Sequence, residues 1–150
     1  MPIERGIGNL LKADVDALVN PVNTEGVMGK GLALQFKKAF PETFKSYARA
    51  CKAGEVVPGK MHVVPQLTSP RYIVNFPTKT LWRLPSKLAY VTDGLRDLVA
   101  TVRVHDLKSL AIPALGCGNG GLAWSDVRPL IVDAFAPLPD VRVVLFEPAS

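Results

Sequence analysis

Two stretches of the sequence carry more glycine than an ordinary turn needs. "NPVNTEGVMGKGLALQF" runs from Asn20 to Phe36, and "IPALGCGNGGLAW" from Ile112 to Trp124. Each follows an apolar run and precedes a helical pattern. Each can therefore turn bare backbone amides toward an anion such as a phosphate. Two such loops side by side would clasp a diphosphate from opposite sides. Two incidental surface turns are the bland alternative.

Neither stretch fits the common nucleotide-binding signatures. Aligning Gly29-Lys30 with the Gly-Lys of a P-loop puts Thr24 at the first glycine and Gly31 at the magnesium-binding hydroxyl, so both requirements fail. Gly116, Gly118 and Gly121 spell G-x-G-x-x-G, but a single strand follows them, with Glu147 read as the candidate acid, and no half-domain remains to hold a nicotinamide. A triphosphatase and a nicotinamide dehydrogenase are set aside.

"TKTLWR", from Thr78 to Arg83, holds a second kind of chemistry. A lysine near other cations, or removed from water, has a lowered pKa and can act as an acid or a nucleophile. Read from residues alone, Lys79 is either that group or a solvated loop lysine. Trp82 and Arg83 are either a stacking platform for an unpaired base or a packed tryptophan beside a surface arginine. His62 reads as a strand residue, and Cys117 as a small side chain that fits its loop. Two cysteines and two histidines leave no metal site to assemble, and no cofactor is implied.

Composition bounds the rest. The 150 residues make one domain, with a core of ordinary size. Eighteen basic residues against 13 acidic ones give a net charge of +5 and a pI near 9.4, a lean toward nucleic acid without any basic tract. No apolar run has the length of a signal peptide or a membrane span, so a cytoplasmic protein is expected, with a monomer as the default state. Asparagine is scarce, at 9, 20, 23, 75 and 119, and each copy lies near the end of an expected strand.

The elements that must position these groups follow from periodicity. Strands are expected at residues 2–10, in "DALVNPVN" ending at Asn20, and in "KMHVVPQ" and "RYIVNFPT", joined as a hairpin. "SLAIPAL" and "VRVVLFEP" supply two more. Helices are expected over "KGLALQFKKAF", over "PETFKSYARACKAG" with Pro41 at its start, from Ser86 to Val104, and over "SDVRPLIVDAF". Ser86 and Ser125 read as caps, and Leu88, Val91, Leu95 and Leu98 as an inward face. The alternation implies a three-layer α/β/α domain over residues 1–150, with a central mixed sheet and ligand loops at strand C-termini.

"GNLLKADVDALVNPVN" followed by "GVMGKGLA", with "IPALGCGNGGLAW" beyond, resembles the macrodomain family over essentially the whole chain. Within it, "GVMGKGLALQFKKAFP" and "GCGNGGLAW" are most similar to the branch that removes ADP-ribose from thymidine in DNA. The resemblance implies an ADP-ribose site made of Gly8 and Asn9 beside the adenine, and Asn20, Pro21, Val22 and Asn23 toward the distal ribose. Gly29, Lys30, Gly31 and Leu32 would form the first phosphate loop. Gly116, Cys117, Gly118, Asn119, Gly120 and Gly121 would form the second, with Thr78 nearby. It points to Lys79 as the catalytic residue; Trp82 and Arg83 stay DNA-contact candidates on the residue reading above. Lysine-type relatives hold an aspartate where this chain has Gly120. The implied function is an antitoxin glycohydrolase acting on ADP-ribosylated single-stranded DNA, paired with an ADP-ribosyltransferase toxin. Two alternatives stay open: a non-catalytic ADP-ribose reader, and a hydrolase of ADP-ribosylated protein or O-acetyl-ADP-ribose.

Overall fold

A computed structural model describes residues 3–148. Six strands form one sheet in the order β1-β6-β5-β2-β4-β3. They are β1 (Ile3–Arg5), β2 (Ala17–Val22), β3 (His62–Pro65), β4 (Tyr72–Pro77), β5 (Ser109–Ile112) and β6 (Arg142–Leu145). All neighbouring pairs are parallel except β3 with β4, the expected hairpin. The helices are α1 (Gly31–Ala39), α2 (Pro41–Lys52), α3 (Leu88–Val104) and α4 (Trp124–Phe135).

Strand periodicity divides the core in two. Val19, Val74, Leu110 and Val143 face the layer of α3 and α4, where Val91, Leu95, Leu98, Val127, Ile131 and Phe135 are buried. Their sequence neighbours Leu18, Ile73, Ala111 and Val144 face the other way, toward Phe36 of α1. Burial on both faces explains why these strands read as continuous apolar runs. Tyr47 and Ala50 hold α2 against Val22 and Met28. The expected three-layer arrangement is present. No helix among the described residues is long and apolar enough to cross a membrane.

Several element ends differ from expectation. The opening strand stops at Arg5; Leu10–Lys12 form a 3-10 turn capped by Asn9, whose side chain accepts from the Leu11 amide at 3.0 Å. β2 continues past Asn20 to Val22. Ser86 does not cap α3: Lys87 holds that position, and Ser86 is buried beneath the second glycine loop. Leu88, expected inward, is 40% exposed, because it opens the helix above the point where α3 meets the sheet. Ser125 lies inside α4, which follows Ala123.

Gly94 is where α3 comes closest to the sheet. A β-carbon there would overlap the edge of the Phe76 ring, which is fully buried. In an exposed helix, alanine would be the better residue by roughly 1 kcal/mol. Here overpacking reverses the sign. We expect Gly94→Ala to destabilise the domain by about 1–3 kcal/mol, read from denaturant midpoints at unchanged m-value.

Candidate functional site

Pro21 marks the place where the sheet opens. β2 pairs with β5 only at Ala17–Leu110 and Leu18–Ala111, whereas its ladder with β4 continues to Val22–Pro77. Beyond Leu18 the β5 side of β2 has no ladder partner, so a proline without an N–H is tolerated in a central strand. From this parting the chain leaves β2 into the first glycine loop and leaves β5 into the second. A cleft of about 1180 Å³ lies between them, larger than most small-molecule sites.

The first loop is tied internally by Asn23. Its side-chain amide donates to the Val27 carbonyl at 2.8 Å, and its Oδ1 accepts from the amides of Glu25 and Val27 and from the buried Tyr47 hydroxyl at 2.7 Å. Burial pushes the Tyr47 phenol far above its usual range, so it remains a donor. Gly31 opens α1 with φ of +55°, a backbone state costly for other residues.

The second loop is folded just as tightly. Gly116 has φ of +73° and its carbonyl accepts from the Leu122 amide at 2.9 Å. Gly120 has no room for a β-carbon, which would overlap the Ser86 hydroxyl and the Gly116 carbonyl. The Ser86 amide donates to the Gly120 carbonyl at 2.9 Å, joining this loop to the one that carries Lys79. The aspartate found at this place in lysine-type relatives therefore has no space here. Across the cleft, the Asn119 amide nitrogen lies 3.7 Å from where a Gly31 β-carbon would stand, so the two loops face each other as expected.

Lys79 stands at the mouth. Its Nζ donates to the Trp82 carbonyl at 3.2 Å. The Trp82 amide donates to Glu25 Oε1 at 2.8 Å, and the amide and hydroxyl of Thr24 both donate to the Thr80 carbonyl. Lys30 Nζ lies 5.7 Å from the centre of the Trp82 ring, reaching over from the first loop. Partial burial lowers the Lys79 pKa, and the neighbouring charge of Lys30 lowers it further. Among the described residues, Glu147 is the only carboxylate lining the cleft.

Most residues named from sequence line this space: Gly8, Asn9, Pro21, Val22, Asn23, Lys30, Gly31, Leu32, Thr78, Lys79, Trp82, Arg83, Gly116, Cys117, Gly118, Asn119 and Gly120. Asn20, Gly29 and Gly121 do not. Asn20 is fully buried, with its amide on Asn75 Oδ1 at 3.1 Å, so it braces neighbouring strands instead of facing a sugar. The Asn75 amide in turn meets His62 Nδ1 at 3.1 Å. Gly29 and Gly121 are exposed outside the lining and only shape their loops. Burial raises the Cys117 thiol pKa, which suits packing better than nucleophilic attack.

Sequence reasoning missed Phe146 and Pro148, and it weighed Glu147 only as a nicotinamide-type acid. All three line the end of the cleft remote from Lys79, beside β1 and β6. The ring of Phe146 lies over Gly6, where a β-carbon would sit 2.6 Å from it. An aromatic directly after an apolar strand was the available signal. Only the sheet order shows that this strand end borders the cleft.

A parallel-rich sheet between two helical layers, opened at its middle and flanked by two glycine loops, defines a macrodomain. The Macro domain family model matches residues 19–131, and the chain belongs to that family. It is 56% identical over 150 residues to the "DNA ADP-ribosyl glycohydrolase" of Mycobacterium tuberculosis, covering 99% of this chain and 43% of that protein. The solved macrodomain of Mycobacterium tuberculosis DarG superposes with a TM-score of 0.96 over 98% of both chains. Identity to the Thermus aquaticus protein of the same name is 52%, covering 95% of this chain and 40% of that one. A "DNA ADP-ribosyl transferase-DNA ADP-ribosyl glycohydrolase fusion protein" of Thermosipho africanus is 36% identical, again with 94% and 40% covered. The solved "Thermosipho africanus DarTG in complex with ADP-ribose" matches at a TM-score of 0.88, at the same identity and coverage. The chain thus spans about two fifths of the length of these curated relatives.

The lysine geometry makes a prediction independent of any substrate. Titrated by NMR on isotope-methylated lysines, Lys79 should have a midpoint below the other lysines. Lys30→Ala should move that midpoint upward, because removing a nearby positive charge makes the ammonium form cheaper.

Proposed function

We propose that this macrodomain hydrolyses the glycosidic bond between ADP-ribose and a base of single-stranded DNA. Thymidine is the base that the sequence resemblance implies. The observation that carries the reading is the half-buried Lys79 amine at the mouth of the cleft, beside the Lys30 charge and an exposed tryptophan. The names of the relatives at 52–56% identity point the same way.

The binding half of the reaction falls to the backbone. The loops of Gly31 and Gly116–Gly120 line the cleft and would offer their free amides to the diphosphate. Asn9 stands at the β1/β6 end beside Phe146, where the adenine would sit. One lone pair of Asn9 Oδ1 already serves the Leu11 amide, leaving its NH2 and the second lone pair for the base. The distal ribose then lies toward Val22 and Thr78, with its anomeric carbon before Lys79.

The chemical half uses the lowered lysine pKa. No aspartate fits at Gly120 to hold Lys79 protonated, and Lys30 opposes its charge. The neutral amine attacks the anomeric carbon. A C–N bond to lysine forms as the C–N bond to the base breaks, and the base leaves with the electron pair and takes up a proton. Water then displaces the lysine and releases ADP-ribose. Since the neutral form is the reactive one, single-turnover rates should rise with pH through the lowered Lys79 pKa. A lysine acting as general acid would give a falling limb instead.

Such an activity reverses a DNA ADP-ribosyltransferase, and the fusion protein from Thermosipho supports pairing with a toxin of that kind. The substrate places the protein in the cytoplasm.

Two variants test the division of labour. Lys79→Ala should lower the single-turnover rate on ADP-ribosylated oligonucleotide by at least about 10²–10⁴-fold, while calorimetric affinity for ADP-ribose changes little. Binding without turnover in the parent protein would leave a reader of ADP-ribose and remove the enzyme.

Gly118→Val should do the reverse. Gly118 lines the cleft, its φ is not positive, and a β-carbon there meets no atom within 4 Å. The fold should accept the valine, and circular dichroism and melting temperature without ligand should not change. Affinity for ADP-ribose should fall roughly 5- to 150-fold, the range implied by about 1–3 kcal/mol of steric misfit. Unchanged affinity would mean that this loop does not hold the diphosphate.

A further inference from the structure

We propose that the single-stranded DNA flanking the modified nucleotide leaves the cleft over one rim only. That rim is the β4–α3 loop and the first turn of α3, where Arg83, Lys87 and Tyr90 receive phosphates and bases beyond Trp82. The inference rests on the DNA substrate proposed above and assigns the path of its strand.

Charge is divided across the fold much more sharply than the net +5 suggests. Residues 26–92 hold 11 lysines and arginines against two acids, Glu42 and Glu55, and no acid occurs between Glu55 and Asp93. All other positions together hold seven basic residues against 11 acidic ones. The basic segment builds α1, α2, β3 and β4, one side of the sheet opening. The remainder builds β5, β6, β1 and α4 on the other side, together with β2 and the later turns of α3, and the one of its acids that reaches the rim, Glu25, is occupied by the Trp82 amide. A polyanion meeting the cleft mouth is drawn to the β4 side and repelled from the β1 side.

Ion pairing sharpens the contrast. On the β1/β6 side Arg5 pairs with Glu147, and Arg142 pairs with Glu4. Lys108 and Arg96 also have carboxylate partners. At the β4–α3 rim, Lys30, Lys79, Arg83 and Lys87 have no ion-pair partner among the described residues. Unpaired cations clustered beside a cleft lose nothing by taking up phosphates.

The same rim offers faces for bases. Trp82 is 49% exposed, and Leu84 and Leu88 follow at 41% and 40%. Lys87 Nζ lies 5.7 Å from the Tyr90 ring, a second cation-and-ring pairing, at the start of α3, like that of Lys30 with Trp82. A chain of alternating rings and cations matches the alternation of base and phosphate along an unpaired strand. A duplex could not use it, since its bases stack on one another.

Fluorescence anisotropy of an ADP-ribosylated single-stranded oligonucleotide, at several salt concentrations, tests the path. ADP-ribose affinity of each protein serves as reference. The double variant Arg83→Ala/Lys87→Ala should lose oligonucleotide affinity, and its salt slope should flatten by roughly 0.7 for each phosphate contact removed. Tyr90→Ala should weaken oligonucleotide binding roughly 5- to 150-fold, the span reported by alanine substitution at base-stacking rings, with ADP-ribose affinity unchanged. The control Arg103→Ala/Arg128→Ala removes the same charge elsewhere. Arg103 lies about 24 Å along α3 from Lys87, and Arg128 sits beside Ile3 and Arg5. It should leave the slope intact. Equal slopes in the two doubles, or an oligonucleotide bound no tighter than ADP-ribose, would overturn the path and leave the ADP-ribose site standing. Failure of ADP-ribose itself to bind would instead remove the function on which the path rests.

Discussion

The cleft exists because β2 and β5 stop sharing hydrogen bonds after two residue pairs. A parallel sheet that stayed closed to its upper edge would carry its glycine loops side by side with nothing between them. Pro21 helps to enforce the separation, since it offers no donor to a strand on the β5 side. β2 remains locked to β4 as far as Pro77, and the Thr78 amide donates to the Val22 carbonyl just beyond. One flank of the opening is thus rigid up to the residue before Lys79. A parting of two strands becomes a binding site only if both flanks hold their shape.

Each flank does so by spending polar groups internally. Asn23 and Tyr47 knot the first loop, while Ser86 and Gly120 fasten the second to the loop carrying the lysine. The cost is that these side chains have little left for a ligand. Recognition passes to backbone amides, which cannot discriminate what is attached to the far end of a diphosphate. Selectivity has to come from the mouth, where Lys30, Lys79, Trp82 and Arg83 gather. Under the proposed function, the deep part of the cleft would read the nucleotide and the rim its cargo.

Local sequence carried most of the fold. The glycine loops, the Pro41 break between α1 and α2, the β3–β4 hairpin and the long α3 were all legible because each depends on periodicity or on a residue with one backbone habit. Element ends were less so, since Ser86 and Ser125 satisfy capping chemistry yet are used otherwise. Asn20 shows the deeper limit. An asparagine at a strand end looks the same whether it faces a sugar or a second asparagine 55 positions on. Phe146 and the divided charge were hidden for a related reason. Composition gives a net value, but only the strand order tells which charges share a side.

The missing carboxylate links these points. A lysine beside an aspartate is held as an ammonium and must wait for its partner to release the proton. Here a glycine is forced at that place by Ser86 and by the Gly116 carbonyl, and the charge that acts on Lys79 is another lysine. Two cations this close cost stability in the empty protein, and the cost falls when an anion enters. A diphosphate settling in the loops, or a phosphate from the flanking strand, offsets the charge of Lys30 and relaxes its pressure on Lys79. Substrate binding therefore raises the lysine pKa as it delivers the bond to be broken. The neutral amine is most available in the empty cleft and becomes scarcer as phosphates accumulate beside it. Lys30, held by a ring face at 5.7 Å and without a carboxylate partner among the described residues, can move toward the phosphates without breaking an ion pair, so the site trades some nucleophile availability for phosphate binding.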